Sequence, residues 1–174
     1  MKHNFFKIVL VLVLTVLAVS TSFAQNSASK TATATALIIA PISIGTVTNM
    51  DFGNIVTTPA GGTVVLPPSG SRTYTGNITS PTTAGNFTSA RFPITADATY
   101  PYTVTMPATD FSLDLTGPEG STAMKISTWT SNLVDGPITS GSQILKIGAT
   151  LTVGESQTPG TYTSEAFTVT VNYN

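Results

Sequence analysis

The sequence predicts an all-β fold, an antiparallel β-sandwich, and three observations carry that prediction. No window sustains an apolar period of 3.6 residues, so no amphipathic helix is signalled. Glycine or proline interrupts the chain about every ten residues, and the stretches between these breaks alternate apolar and polar, as in sandwiches and barrels. Threonine makes up about a fifth of the residues from Gln25 onward, and its branched Cβ suits a pleated, half-solvated surface.

The N-terminus reads as a secretory signal peptide. Lys2 and Lys7 form a positive end, residues 8–19 an apolar run, and Ser22-Phe23-Ala24 a small-x-small cleavage site before Gln25. The apolar run is about a dozen residues, short of the roughly 20 that a membrane helix needs. The expected organisation is therefore a signal peptide over 1–24, a polar, flexible leader over 25–30 and one β-sandwich domain over 31–174. The mature chain is expected to carry no transmembrane anchor. It is expected outside the inner membrane: in the periplasm, on the outer cell surface or in the medium. A domain of this size buries about 68–70% of its unfolded surface and can hold without staples. That matters because the chain has no cysteine and so no disulfide.

Strands are predicted over 31–44, 50–55, 63–66, 72–78, 91–96, 102–106, 111–115, 124–130, 143–153 and 161–173. Each is an apolar or threonine-rich alternation ended by turn chemistry. The turns are Pro59-Ala60-Gly61-Gly62, Pro67-Pro68-Ser69-Gly70, Gly117-Pro118-Glu119-Gly120, Asp135-Gly136-Pro137 and the stretch 154–160. The C-terminal region has the clearest pattern. Leu145, Ile147, Ala149, Leu151 and Val153 alternate with Lys146, Gly148, Thr150 and Thr152, and later Phe167, Val169, Val171 and Tyr173 alternate with Thr168, Thr170 and Asn172. This predicts a long hairpin of two central, adjacent antiparallel strands with one face in the core. Leu145, Ile147, Leu151, Val153, Val169 and Val171 are its expected buried positions. Tyr162 and Phe167 have opposite parity, so if both point inward an extra residue near 164–166 is absorbed as a β-bulge.

The closing segments Gly148-Ala149-Thr150-Leu151-Thr152-Val153 and Gly160-Thr161-Tyr162-Thr163, with Phe167-Thr168-Val169-Thr170-Val171-Asn172-Tyr173, resemble the end of the domain of unknown function 4402 family. Met50-Asp51-Phe52-Gly53-Asn54-Ile55, Gly62-Thr63-Val64-Val65-Leu66, Ala90-Arg91-Phe92-Pro93-Ile94 and Tyr102-Thr103-Val104-Thr105-Met106-Pro107 fit the same pattern. The resemblance covers essentially the whole mature chain. It implies a secreted protein of Gram-negative bacteria, an immunoglobulin-like sandwich similar to fimbrial and spore-coat-type subunits, and a surface or structural role with no assigned activity.

The residue inventory narrows the chemistry. His3, the only histidine, lies in the signal segment, so the mature chain has neither histidine nor cysteine and cannot build a serine or cysteine triad. From Gln25 onward five cationic side chains face eight anionic ones, net −3, without a basic cluster for nucleic acid or an anionic membrane. Asp110 and Asp114 are the one close carboxylate pair. On a strand they stand about 13 Å apart at 3.3 Å per residue, wider than the roughly 5–9.5 Å of glycosidase pairs, so they read as solvated strand charges. Asp51-Phe52-Gly53 matches a kinase magnesium motif without the rest of that machinery, and Phe52 reads as core with Gly53 easing a bend. Ser27 and Lys30 have Ser-x-x-Lys spacing but lack the companion motifs. No Asp-x-Asp-x-Asp-Gly calcium loop occurs. No catalytic, cofactor or metal site is expected.

Two functional readings follow. In the first, the protein is a non-enzymatic surface subunit, fimbria-like or of the cell envelope, that pairs with copies of itself or with other surface subunits through edge strands. The alternating segment Thr31-Ala32-Thr33-Ala34-Thr35-Ala36-Leu37-Ile38-Ile39 is either an added strand for a neighbour or the first strand of its own sandwich. The alternative is a module binding carbohydrate or another surface ligand, with Trp129, Tyr100 and Tyr102 offering flat rings to sugar faces; against it, Trp129 and Tyr102 read equally as core. An eight-stranded outer-membrane barrel would need strands of about 9–11 residues, longer than most segments here.

Overall fold

The computed structural model describes residues 27–108, 111–133, 138–139 and 141–174. The predicted signal segment and the turn Asp135-Gly136-Pro137 lie outside the described residues. The chain divides into two compact units, Met1–Leu37 and Ile38–Asn174. Residues 27–37 of the first unit form no strand, and among the described residues all the β-structure belongs to the second.

That structure comprises ten strands: β1 (Ser43–Ile44), β2 (Gly62–Leu66), β3 (Thr73–Gly76), β4 (Ala90–Thr95), β5 (Tyr102–Thr105), β6 (Leu113–Thr116), β7 (Met124–Ser131), β8 (Ser142–Val153), β9 (Thr163–Ser164) and β10 (Thr170–Tyr173). Every pairing is antiparallel, and no helix occurs among the described residues. Eight strands form one sheet, β1-β4-β8-β7-β6-β9 with β2 and β3 branching from β8, while β10 and β5 form a second. The all-β sandwich expected from the sequence is the observed architecture.

β8 organises the large sheet. β7 lies along one edge, through Lys125↔Thr152 to Ser131↔Ile147. The other edge is shared end to end, with β4 on Ser142 to Ile147 and β2 on Ala149 to Val153. The inward face of β8 carries Leu145, Ile147, Ala149, Leu151 and Val153, all buried. Cross-strand neighbours extend this face with Phe92 beside Leu145, Ala90 beside Ile147, Leu66 beside Ala149, and Val64 and Ile126 flanking Leu151. Each Val, Leu, Ile or Phe side chain of this band contributes about 1.5–3 kcal/mol when fully buried, so this continuous band is the main source of stability.

Gly148 sits where β4 ends and β2 begins. A Cβ there would lie within 2.8 Å of the Pro67 backbone, so only glycine lets the chain leaving β2 pass this point.

β4 tolerates Pro93 for a related reason. The Pro93 carbonyl accepts from Gly45 N–H at 2.7 Å, so the side that lacks an N–H faces the 44–48 segment. There the register shifts by one between Ile44↔Ile94 and Thr48↔Arg91, and a missing donor at a bulge costs little.

The predicted strands over 63–66, 72–78, 91–96, 102–106, 111–115, 124–130 and 143–153 each coincide with an observed strand to within a few residues at each end. Three expectations are corrected. The first concerns the segment 31–44, of which only Ser43–Ile44 is strand. Its Thr-Ala alternation offers too little apolar area to fix a face against a core. The second concerns 50–55, which is no strand but runs beside 79–88 through isolated bridges at Asp51↔Thr88 and Val56↔Thr79. Asp51 Oδ1 accepts from Gly53 N–H at 2.7 Å, and Gly53 has φ +66°, so a tight turn interrupts the ladder.

The third is the predicted C-terminal hairpin. Segment 161–173 does not pair with β8, because β7 holds one edge of β8 and β2 and β4 hold the other. Instead it splits: β9 pairs with β6 in the large sheet and β10 pairs with β5 in the small one. Tyr162 and Phe167 do both pack against the core, but residues 165–169 leave strand geometry altogether where a single bulge was expected. The chain changes sheets there, a corner typical of sandwiches. Val169 and Val171 are accordingly half-buried, as parts of a two-stranded cover.

Gly148→Ala is expected to cost at least about 1–3 kcal/mol through backbone displacement, read as a lowered urea midpoint. Stability unchanged from the parent would show that the approach of Pro67 to β8 is looser than described.

Candidate functional site

The most distinctive local geometry lies around Trp129. Along β7, Met124 and Ile126 point inward, and regular alternation would turn Thr128 and Thr130 inward next. The register shifts between Ser127 and Thr130, and Thr128 takes φ +54°. A β-branched residue in that region is strained, and here the extra residue reverses the parity so that Trp129 enters the core at 4% exposure. Its indole N–H donates to the Phe111 carbonyl at 2.8 Å. Its ring meets Phe167 at 4.7 Å between centroids and 51° between planes, and Phe167 in turn meets Phe92 at 6.0 Å. Such contacts are worth about 0.5–1.5 kcal/mol beyond their buried area.

Beyond Phe167 the two layers open into a shallow cavity of about 330 Å³, lined by Pro107, Ala108, Phe111, Ala166, Phe167 and Thr168. None of these side chains carries charge, and Phe111 is 41% exposed at the rim. The lining also includes part of the sheet-changing segment 165–169. Among the described residues no backbone hydrogen bond joins that segment to a neighbour.

A second centre surrounds Arg72. Its Nη1 donates to the Phe52 carbonyl and to the Asn54 carbonyl at 3.1 Å. Its Nη2 reaches Ser80 Oγ and the Ala84 carbonyl, each at 3.4 Å. The guanidinium lies 4.1 Å from the Phe87 ring centroid and 5.5 Å from that of Tyr74. Through both Nη atoms Arg72 thus binds three backbone carbonyls and one hydroxyl and clamps the loops around 52–54 and 80–87, a fastening role.

Gln157 forms a third polar knot. It is buried and donates to the Thr122 carbonyl and to the Tyr162 hydroxyl, which donates to the Thr158 carbonyl.

The aromatic residues proposed as ligand contacts fall in different places. Trp129 and Tyr102 are core residues with covered rings, and Tyr102 is fully buried with its hydroxyl bonded to Gln143 Nε2. Tyr100 is half-buried and meets Tyr173 edge-on at 6.4 Å. The structure does not bring the three together as a platform. Of the carboxylates, Asp114 pairs with the opposing Lys125 at 3.4 Å on the solvent face, and Asp110 lies outside the described residues. Phe52 is buried, and Asp51 is used in the turn described above. Among the described residues, no group of three acidic side chains stands close enough to hold a metal ion.

Arg72 and Thr128 were not singled out by sequence reasoning, and at the 165–169 corner only a bulge near 164–166 was expected. The lone Arg72 beside aromatic Tyr74 carried a faint signal. Thr128 carried none, because nothing in Ser-Thr-Trp-Thr-Ser announces where an alternation will slip.

Comparison with known proteins follows the same outline. The family described as Domain of unknown function (DUF4402) matches over residues 42–173. The chain belongs to this family. The match begins one residue before β1 and ends with β10, so the DUF4402 region coincides with the sandwich. No curated protein and no solved structure matches the chain.

Two substitutions test the Trp129 geometry. Thr128→Gly is expected to raise stability by about 1 kcal/mol, since it relieves a left-handed residue at an exposed position. Trp129→Phe, which removes the bond to Phe111 and part of the stack, is expected to lower it by about 1–3 kcal/mol. Thermal or urea unfolding measures both.

Proposed function

We propose that this protein is a non-enzymatic, exported surface protein, a fimbria-like or cell-envelope adhesion and assembly subunit that associates with copies of itself or with other surface subunits through edge strands. The observation that carries this reading is the outer edge of β10. Asn174 N–H donates to the Pro101 carbonyl, which places the backbone groups of residues 170, 172 and 174 toward β5. Those of Val171 and Tyr173 therefore point away, and among the described residues no strand pairs with them. β5 is different, because the outward backbone groups of Tyr102 are taken by Ile138 at 2.9 and 2.8 Å. An open edge of alternating apolar residues is a template for strand addition unless the protein guards it.

The rest of the support is chemical. A mature chain without histidine or cysteine, and without a carboxylate pair at hydrolytic spacing, has little to build catalysis from. The positive end, apolar run and cleavage site at the N-terminus support export. No helix among the described residues is long and apolar enough to cross a membrane.

Native surface material examined by electron microscopy, with size-exclusion chromatography of the purified chain, should show filaments or a concentration-dependent series of oligomers. N-terminal sequencing of that material should begin at Gln25. A concentration-independent monomer would overturn the assembly reading, and a mature species that retains Phe5 and Phe23 would overturn export by signal cleavage.

A further inference from the structure

The assembly reading leaves open where a partner docks and which segment of it does so. Three observations converge on one surface.

The first is a continuous unpaired track. Residues 165–169 make no backbone hydrogen bonds among the described residues, and β10 continues the track with its outer edge free. Together residues 165–173 offer nine residues of main chain.

The second is the cavity beside that track. It lies between Phe111 and Phe167, and among the described residues no charged side chain lines it. An apolar side chain projecting from an added strand could enter it.

The third is the chain's own N-terminal segment. Residues 31–39 are also nine, uncharged and alternating, and they form no strand. Leu37 and Ile38 are 79% and 92% exposed, an unusual place for large aliphatic side chains. Of the track only Glu165, exposed at its start, carries charge, and residues 166–173 carry none, so joining the two segments beyond that end desolvates no ion.

We propose that the track 165–173, with the Phe111–Phe167 cavity at its start, is the acceptor groove for residues 31–39 of a second copy of this chain. The incoming segment pairs its backbone with the outward-facing groups of Val171 and Tyr173 and with the bare backbone of 165–169. Ile38 fills the cavity. Because each copy carries one donor segment and one groove, and the two are different surfaces, the contact is head-to-tail and propagates into an open chain. This proposal rests on the assembly reading above and adds the site and the occupant.

The test uses the exported chain with two substitutions chosen to leave the fold intact. Val171→Pro removes an N–H that faces away from β5, so the β5–β10 ladder keeps its bonds while the groove loses a donor. Ile38→Asp puts a charge on a side chain that is exposed in the single chain. Both should keep the parent's melting temperature within a few degrees, and both should raise the concentration at which self-association begins at least about tenfold. Mixed together, the two variants should form a one-to-one dimer that grows no further, because the mixture supplies one good donor and one good groove. Analytical ultracentrifugation reads all three samples. If the parent assembles and Val171→Pro assembles equally well, the groove is overturned while the assembly reading stands. If Val171→Pro is blocked but Ile38→Asp is not, the groove takes a different segment and the N-terminal occupant is overturned. If the parent never assembles, the assembly reading falls and the groove with it.

Discussion

A β-strand has two edges, and in this protein the twelve residues of β8 spend both. β7 occupies one, while β4 and β2 divide the other. Most of what is distinctive in the fold follows from that saturation. The division is possible because Gly148 lets the Leu66–Pro67 backbone come close at the junction. The C-terminal segment, which by its apolar alternation would pair well with β8, finds no edge available. It must reach β6 and then β5 instead, and on the way it crosses from one sheet to the other.

That crossing creates the surface of functional interest. Residues 165–169 belong to neither sheet, so the two layers part there and expose the aromatic edge of the core. Phe167 is held in this gap by Trp129 on one side and Phe92 on the other. Trp129 can do this only because Thr128 accepts an unfavourable backbone conformation. The strain at one exposed threonine and the order of the aromatic core are therefore parts of one arrangement, about 1–2 kcal/mol set against a buried tryptophan. A two-stranded second layer whose outer side meets no strand among the described residues is the direct result.

Much of this was legible in the sequence. Strict alternation from Leu145 to Val153 placed every inward residue of β8 correctly, and the parity clash between Tyr162 and Phe167 announced an irregularity in the right place. What escaped was relational. Alternation tells which face of a strand is buried, but not which neighbour it takes, so 161–173 looked like the partner of 143–153 because the two are adjacent along the chain. The segment 31–44 misled for a different reason: a Thr-Ala repeat has the period of a strand without the apolar area to settle on one. Trp129 and Tyr102 could be read as surface rings or as core from sequence alone, and only burial decides between those. The role of Arg72 depends on carbonyls from loops twelve to twenty residues away in sequence, which no local pattern encodes.

Tyr173 closes β10, and its hydroxyl accepts from Asp97 N–H at 2.7 Å and donates to the Ala40 carbonyl at 2.9 Å. The ladder partner of Tyr102 is likewise Tyr173. Along the chain β2 and β4 wait for β8, and β5 waits for β10. Contacts this distant in sequence make closure slow and late, so the strands made early are fastened only by strands made long after them.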